Sequence, residues 1–237
     1  MLATVDPASQ RDPFDLEVVW RAERYQRWII GAFECDLGGE VLEIGAGVGA
    51  MTRWLSVRAR HVTALEPDAA YRARIDGLHL QNVSTIGGLV EDLAAISLEA
   101  DAAVLVNVLE HLDDDAAALT ATHAALRPGG RVCILVPAHQ QLFGSLDEVY
   151  GHRRRYSSVR VGRMLARNGF VVERLRYLNP VGAAGWLVTG RILRRRTISP
   201  WAVTLAERVV VPASRALEAF GDPPFGQSVV AVGRRSA

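Results

Sequence analysis

Three alternating glycines and a neighbouring carboxylate are the first residues whose types and spacing suggest chemistry. Gly45, Gly47 and Gly49 follow a short apolar run that carries Glu43. Glycine lets the backbone turn sharply and lets a ligand approach without meeting a Cβ atom. Dinucleotide sites use the spacing G-x-G-x-x-G and hold a pyrophosphate, which Glu43 would repel. The G-x-G-x-G spacing here favours a nucleotide-like ligand that carries an amino group.

A second acidic residue stands where a ribose site would need it. Glu66 follows the apolar run from His61 to Leu65, about 20 positions after the glycine turn. A carboxylate at the end of the second strand of a doubly wound sheet can accept hydrogen bonds from both ribose hydroxyls. The two features together predict nucleotide binding more strongly than either does alone.

The elements that would position these residues alternate between apolar runs and helical patterns. The runs predict seven strands, at residues 41–45, 61–65, 82–86, 101–106, 131–136, 170–178 and 226–235. Helical patterns cover residues 15–34, 113–126, 158–167 and 181–220, and residues 137–156 read as a loop. This alternation is typical of an α/β sheet that binds ligands beyond the carboxyl ends of its strands.

Composition excludes several classes of protein. The chain has 237 residues, of which 49% are hydrophobic and 22% charged, and its formal net charge is +1. These values predict one globular domain over residues 15–237 after a flexible lead-in at residues 1–14, and they argue against nucleic-acid binding. We find neither a signal peptide nor the ~18 uninterrupted apolar residues of a membrane span, and expect a cytoplasmic protein with two reduced cysteines.

The motif around Glu43, hydrophobic-Glu-hydrophobic-Gly-x-Gly-x-Gly, resembles motif I of the class I S-adenosylmethionine (SAM)-dependent methyltransferases. Glu66, the segment GGLVEDL at 87–93 and the turn LRPGG at 126–130 resemble further motifs of that family, in the same order. The loop GHRRRY at 151–156 is similar to a G-H-x-R-R-Y loop in one group of bacterial methyltransferases. The resemblance implies a Rossmann-like, seven-stranded sheet with helices on both faces, SAM as cofactor and S-adenosyl-L-homocysteine as product.

The resemblance also implies which residues contact the cofactor. Glu43 would hold the methionine amino group and Glu66 the ribose. Leu89 replaces the acid that binds the adenine amino group in related enzymes, which leaves that contact to backbone groups near Leu89 and Val90 or to Glu91. An early helix would cover the cofactor, although core packing is an equal alternative for its aromatic residues. The predicted cofactor contacts are Tyr25, Trp28, Glu43, Gly45, Ala46, Gly47, Gly49, Glu66, Pro67, Leu89, Val90, Asn107 and Val108.

Methyl transfer can require a base that deprotonates the acceptor. Imidazole titrates near physiological pH, so His111, His152 and His139 are the candidate bases. In methyltransferases the segment after the fifth strand faces the substrate, which makes four polar residues of that segment candidate substrate contacts: Asp147, Arg154, Arg155 and Tyr156. The alternatives are structural hydrogen bonding for each histidine and a solvated loop for the arginines.

A divalent metal is a second catalytic possibility that the resemblance raises. Some related methyltransferases carry E-x-x-E-H after the fourth strand and bind a metal that activates a hydroxyl. Glu110 and His111 match this motif, but Asn107 replaces its first acid and is a weaker ligand. Metal-free catalysis is therefore the primary expectation.

The sequence leaves the acceptor open. The resemblance implies an oxygen, nitrogen or carbon nucleophile of a small molecule, such as a natural product, or of a glycan- or lipid-linked acceptor. Segments at about 15–34, 137–160 and 181–220 would form the substrate site and lid. Residues 200–220 could be a lid, a dimer face, a membrane-surface helix or a helix packed on the sheet. The protein could be a monomer or a homodimer. A SAM-binding protein without methyl transfer (a cyclase or partner subunit) and an NAD-dependent oxidoreductase are the alternative functions.

Overall fold

The computed structural model describes residues 20–96 and 98–236. The predicted lead-in at residues 1–14, and the part of the first predicted helix before residue 20, lie outside the described residues. No helix within the described ranges is both long and apolar enough to cross a lipid bilayer.

Seven strands form one sheet in the order β3-β2-β1-β4-β5-β7-β6. All neighbours are parallel except β7, which runs antiparallel to both β5 and β6. This arrangement confirms the predicted Rossmann-like methyltransferase fold. The strands are β1 Glu40–Ile44, β2 His61–Leu65, β3 Val83–Ile86, β4 Ala100–Val106, β5 Leu126–Pro137, β6 Phe170–Leu178 and β7 Ser228–Arg235.

Side chains alternate across the central strands and build an apolar core on each face of the sheet. On β4, Ala103 and Leu105 face one core, whereas Ala102 and Val104 face the other. Both sets are fully or almost fully buried, as expected for a central parallel strand with helices on both sides. The sheet therefore presents its strand ends as a rigid edge for a binding site.

The helices cover the two faces of the sheet. Asp114 caps one of them by accepting hydrogen bonds from the backbone N–H groups of Ala116 and Ala117, which places the start of that helix two residues later than predicted. The region predicted to be a loop, 137–156, contains a short helix. The helices are α1 Glu23–Phe33, α2 Thr52–Ser56, α3 Ala69–Asp76, α4 Asp115–Ala125, α5 Ser145–Val149, α6 Ser158–Arg167, α7 Pro180–Trp186, α8 Pro200–Leu205 and α9 Val211–Glu218.

The segment from residue 180 to 218 is helical apart from a connection at 193–199. A π-helical stretch at Leu187–Ile192 extends α7, and another at Ala206–Val210 joins α8 to α9. Val211 and Ser214 are buried against the body of the protein. One alternative for residues 200–220 was a helix whose apolar side chains pack on the sheet. These side chains are instead exposed, with Trp201 at 70% and Phe220 at 92%. For these side chains the packing alternative is wrong.

The two cysteines meet in the core although they are distant in sequence. The Sγ atoms of Cys35 and Cys133 lie 3.0 Å apart, and both residues are free thiols. Their contact fixes the segment after α1 to the centre of β5. This contact between two free thiols agrees with the expectation that both cysteines are reduced.

Candidate active site

The glycine turn connects β1 to α2 in a conformation that requires glycine. Gly45, Gly47 and Gly49 all have positive φ angles, of 71°, 55° and 82°. A Cβ atom on Gly45 would lie 2.8 Å from Cγ2 of Val108, so the turn also packs closely against the end of β4. The turn therefore combines a left-handed backbone with close approach to Val108, and both residues between its glycines, Ala46 and Val48, are buried.

Glu66 lies directly beside this turn. One carboxylate oxygen accepts a hydrogen bond from Gly47 N–H at 2.8 Å, and the other accepts one from Asp68 N–H at 3.0 Å. The residue is buried at the carboxyl end of β2, followed by the exposed Pro67. A carboxylate oxygen has two lone pairs, so each oxygen retains acceptor capacity for a ribose hydroxyl. The geometry is compatible with the predicted ribose contact and adds a link between Glu66 and the glycine turn.

Glu43 is a buried carboxyl group in the middle of β1. Its side chain accepts a hydrogen bond from Thr52 Oγ1 at 2.6 Å. Burial, opposed by the Thr52 hydrogen bond and reinforced by the nearby Glu66, raises the pKa of Glu43 to about 8. A cationic amino group that entered this site would favour the ionised form and lower that pKa. Glu43 is therefore suited to bind an ammonium group as a charged partner.

This coupling predicts that cofactor affinity depends on pH. Below about pH 8 the ligand-free Glu43 carries a proton that must leave when an ammonium group binds, so affinity rises as pH rises towards that value. Titration calorimetry should show SAM binding at least about tenfold more tightly near pH 8 than near pH 6. The Glu43→Gln variant should bind weakly with a flat profile. An unchanged slope in this variant would assign the titration to another group.

The remaining predicted cofactor residues surround the same edge of the sheet. Asn107 is exposed at the end of β4 with a positive φ of 54°, and Val108 packs on the glycine turn. Leu89 is 53% exposed, whereas the Val90 side chain is buried in the core, which leaves only backbone groups of Val90 for a ligand. The Asp92 side chain accepts a hydrogen bond from Leu89 N–H and so fixes the backbone at Leu89.

The two aromatic residues of α1 have different surroundings. Trp28 is buried in the core on one face of the sheet, where core packing alone accounts for it. Burial raises the pKa of the Tyr25 phenol, which lies beside Ser228 and is also affected by Glu218 and Arg155. The Tyr25 hydroxyl therefore lies beside the start of β7. Direct cofactor contact by either residue stays a prediction.

The strongest catalytic arrangement is a pair formed by Asp147 and His152. His152 Nδ1 lies 2.8 Å from Asp147 Oδ1. Asp147 is fully buried and also accepts hydrogen bonds from Arg155 Nε, Gly144 N–H and Trp186 Nε1. Although burial opposes ionisation, His152 and Arg155 hold the pKa of Asp147 below its usual range. An ionised Asp147 favours the tautomer in which Nδ1 carries the proton, so His152 Nε2 is left as the proton acceptor.

Glu110 and His111 face the other side of the His152 ring. Glu110 Oε1 lies 3.9 Å from His152 Nε2, and the His111 and His152 rings meet edge to face with centroids 4.9 Å apart. Glu110 is fully buried, and neither of its carboxyl oxygens has a hydrogen-bond partner among the described residues. Burial raises the pKa of Glu110 to about 8. The structure thus brings two of the three predicted bases, His111 and His152, together.

Three residues of the loop 151–156 make contacts within the protein that stabilise the loop, and they do not line an open site. Arg154 contacts the Asp115 carboxylate and the Asp113 carbonyl, and Tyr156 is fully buried with its hydroxyl donating to Asp115. A direct substrate contact by Tyr156 is not available in this structure. Arg155 is buried and binds Asp147 and the Ala138 carbonyl, so it holds the pair in place.

His139, the third candidate base, stands apart from this pair. Its ring stacks on Tyr177 at a centroid distance of 4.7 Å, and its backbone has a positive φ of 60°. Burial, together with the charge of Arg155, lowers the pKa of His139. His139 therefore presents a neutral imidazole at the end of β5, without a carboxylate to orient it among the described residues.

Two aromatic residues at the site were missed by the sequence analysis. Trp186 of α7 donates to Asp147 at 3.2 Å, and the Arg155 guanidinium lies over its ring at 4.8 Å. The Tyr150 ring lies 6.0 Å from His152 and 6.4 Å from Trp186. Trp186 is distant in sequence from the loop, and no local pattern indicated that α7 folds back on it.

Comparison with known proteins agrees with this geometry. A family model described as a methyltransferase domain matches residues 19–175. A Xylella fastidiosa protein named ubiquinone biosynthesis O-methyltransferase is 34% identical over 101 residues, which cover 41% of this chain and 41% of that protein. The match thus spans well under half of the relative's length.

Two further relatives cover more of the chain. A Mycolicibacterium smegmatis protein named "Probable S-adenosylmethionine-dependent methyltransferase" is 26% identical over 174 residues, covering 69% of this chain and 67% of that protein. A Haloferax volcanii methyltransferase, solved in complex with the Trm112 methyltransferase activator, has the same fold with a TM-score of 0.69 at 14% identity, covering 99% of this chain and 100% of that chain. The family model matches well over half of the sequence, and the chain therefore belongs to the methyltransferase domain family.

Proposed function

We propose that this enzyme transfers the methyl group of SAM to a hydroxyl oxygen of a small-molecule or glycan- or lipid-linked acceptor. The main observation behind this proposal is that His152 lies between Asp147 and Glu110. Glu110 follows the end of β4, and Val108 at that end packs on the glycine turn. A hydroxyl is a poor nucleophile until its proton is removed, and a histidine oriented by a buried carboxylate is suited to remove it. Relatives named as O-methyltransferases support an oxygen acceptor.

The reaction is an in-line displacement on an activated methyl group. The acceptor oxygen forms a bond to the methyl carbon while the carbon–sulfur bond breaks, and the sulfonium becomes the neutral thioether of S-adenosyl-L-homocysteine. The enzyme must hold donor and acceptor in line and in contact. Glu43 and Glu66 would fix the two ends of the cofactor against the glycine turn, so that the methyl group faces the acceptor.

His152 would accept the proton of the hydroxyl at Nε2. Asp147 would stabilise the imidazolium that forms, because its charge lies 2.8 Å from Nδ1. Trp186 and Arg155 hold Asp147 in position, and the His152 side chain is only 10% exposed, which shields the pair from bulk water. The neutral form of Glu110 favoured by its raised pKa would leave this proton transfer to His152.

The same residues also fit a divalent metal. Glu110, His111 and His152 each offer a ligand atom, and these atoms all lie within 4.8 Å of one another. The donor set of one carboxylate and two imidazoles suits a transition-metal ion, and Asp147 would orient His152 as an outer partner. A bound ion would lower the pKa of an acceptor hydroxyl.

Exhaustive chelation distinguishes catalysis by a histidine base from catalysis by a bound metal ion. We expect the dialysed, chelator-treated enzyme to retain its turnover within about twofold, because the histidine–carboxylate pair is complete without an ion. Turnover should be measured as S-adenosylhomocysteine formation, with metal content checked by mass spectrometry. A loss of activity that zinc or magnesium restores would transfer the role of His152 to metal binding.

The acceptor is best identified by isotope transfer. Purified enzyme should be incubated with methyl-deuterated SAM and separate soluble and lipid extracts of the source organism. Mass spectrometry should then reveal a labelled product in one extract, which would name the acceptor class. Tight SAM binding without label in either extract would contradict the proposal and favour a protein that binds SAM without transferring its methyl group.

A further inference from the structure

Most of the exposed large apolar side chains of the described residues lie on one segment of the chain, between 187 and 225. Five of them lie on the helical stretch from residue 200 to 218 and the turn that follows it: Trp201, Leu205, Val209, Leu217 and Phe220. Trp201, Leu205 and Val209 are exposed and follow one another at four-residue spacing, which places them on one side of the helix. Val211 and Ser214 are buried on the opposite side. The helix is thus amphipathic, but an apolar stripe faces away from the protein.

The preceding helical stretch also carries exposed apolar side chains. Leu187, Val188 and Ile192 are exposed on the extension of α7, and Leu193 follows at its end. Contacts between α7 and α9 hold the two stretches together. We call the exposed apolar residues of both stretches, from Leu187 to Phe220, the outer apolar surface.

The charges on this segment are strongly asymmetric. All six arginines between 187 and 220 are exposed and form no ion pair with the described residues: Arg191, Arg194, Arg195, Arg196, Arg208 and Arg215. The segment has only two acids, and both are used internally. Glu207 accepts hydrogen bonds from the backbone N–H groups at the start of α1, and Glu218 pairs with Arg176 at 3.1 Å.

An apolar surface rimmed by arginines fits an anionic lipid bilayer. Apolar side chains enter the interfacial layer, tryptophan is favoured there, and arginines bind lipid phosphates. A second copy of this chain fits less well, because a two-fold contact through this surface would bring like charges together with no acid to neutralise them. We propose that the outer apolar surface docks the enzyme on membranes that contain anionic phospholipids.

The position of this surface relative to the site supports the same conclusion. Ser145 Oγ donates to the Gly190 carbonyl, and Arg191 donates to the Phe143 carbonyl. Trp186, one residue before the surface begins, binds the buried Asp147. Helix α7 and its extension, which carry part of the outer apolar surface, are therefore joined directly to the loop that contains Asp147 and His152. The proposal that the enzyme docks on membranes does not depend on which methyl acceptor it uses.

Vesicle co-sedimentation of the full chain tests this inference. We expect binding to vesicles of phosphatidylcholine with about 30% phosphatidylglycerol, little binding to phosphatidylcholine alone, and release at about 0.5 M salt. Replacing Arg194, Arg195 and Arg196 together with glutamine should weaken binding at least about tenfold, and Phe220→Ser at least about fivefold. These side chains are exposed, so thermal unfolding should be unchanged in both variants.

Matched controls carry the same substitutions elsewhere. Val57, 79% exposed, and the exposed Arg58 lie after α2, and Val57→Ser and Arg58→Gln should bind vesicles like the wild type. Failure to bind anionic vesicles, or equal binding to both compositions, would overturn the proposal. A dimer in size-exclusion chromatography that Phe220→Ser dissociates would assign the surface to a second copy instead.

Discussion

Replacing His152 with alanine is expected to lower kcat by about a hundredfold or more, with the affinity for SAM unchanged within about twofold. The imidazole is the group that Asp147 orients, and its Nε2 atom faces the buried Glu110 and His111. Its removal deletes the proton acceptor without altering the glycine turn. S-adenosylhomocysteine formation with an active extract measures turnover, and titration calorimetry measures cofactor binding.

Chemical rescue distinguishes a base from a merely structural histidine. Added imidazole should restore part of the activity of His152→Ala, because a small base can occupy the vacated space. His61→Ala is the matched control, since His61 lies at the opposite, amino end of β2 and contacts Ser84. Turnover of His152→Ala within about threefold of the wild type would remove His152 from the mechanism.

Replacing Glu66 with glutamine is expected to raise the Kd for SAM by about a hundredfold. Two hydrogen bonds from ribose hydroxyls to a carboxylate contribute about 3 kcal/mol together, which corresponds to that factor. Both carboxylate oxygens also accept backbone N–H groups, from Gly47 and Asp68. An amide would place its NH₂ group against one of these donors and disturb the glycine turn.

The control for Glu66 changes a neighbouring charge without touching the site. Asp68 caps α3 by accepting hydrogen bonds from Ala70 and Tyr71, and asparagine is an equally good cap. Asp68→Asn should therefore bind SAM within about twofold of the wild type. An affinity of Glu66→Gln within about threefold of the wild type, measured on protein that remains folded, would contradict the ribose assignment.

The sequence predicted the sheet and the glycine turn well because both depend on local signals. Apolar runs of four to seven residues identify buried strands, and glycines at Gly45, Gly47 and Gly49 identify a left-handed backbone that other residues adopt only rarely. The distance from the glycine turn to Glu66 is fixed by one strand–helix–strand unit. Such features are encoded within about 30 consecutive residues, so a single sequence contains them.

The substrate side was predicted less completely because its contacts are distant in sequence. Tyr156 and Arg154 lie in a polar loop, yet both bind Asp115 at the start of α4. The composition of the loop indicated polarity but could not show which groups pair with each other. Trp186 reaches Asp147 only because α7 folds back over the loop. Periodicity along residues 200–220 likewise identified an apolar stripe but not the direction in which it faces.

The measurement that most directly tests the central claim is the position of the transferred deuterated methyl group in the product. Nuclear magnetic resonance on the product purified from the labelled extract would identify the atom that carries it. We predict a carbon–oxygen bond at a former hydroxyl, formed by the wild type and lost with His152→Ala. A label on carbon, or transfer that does not depend on His152, would contradict the proposed mechanism.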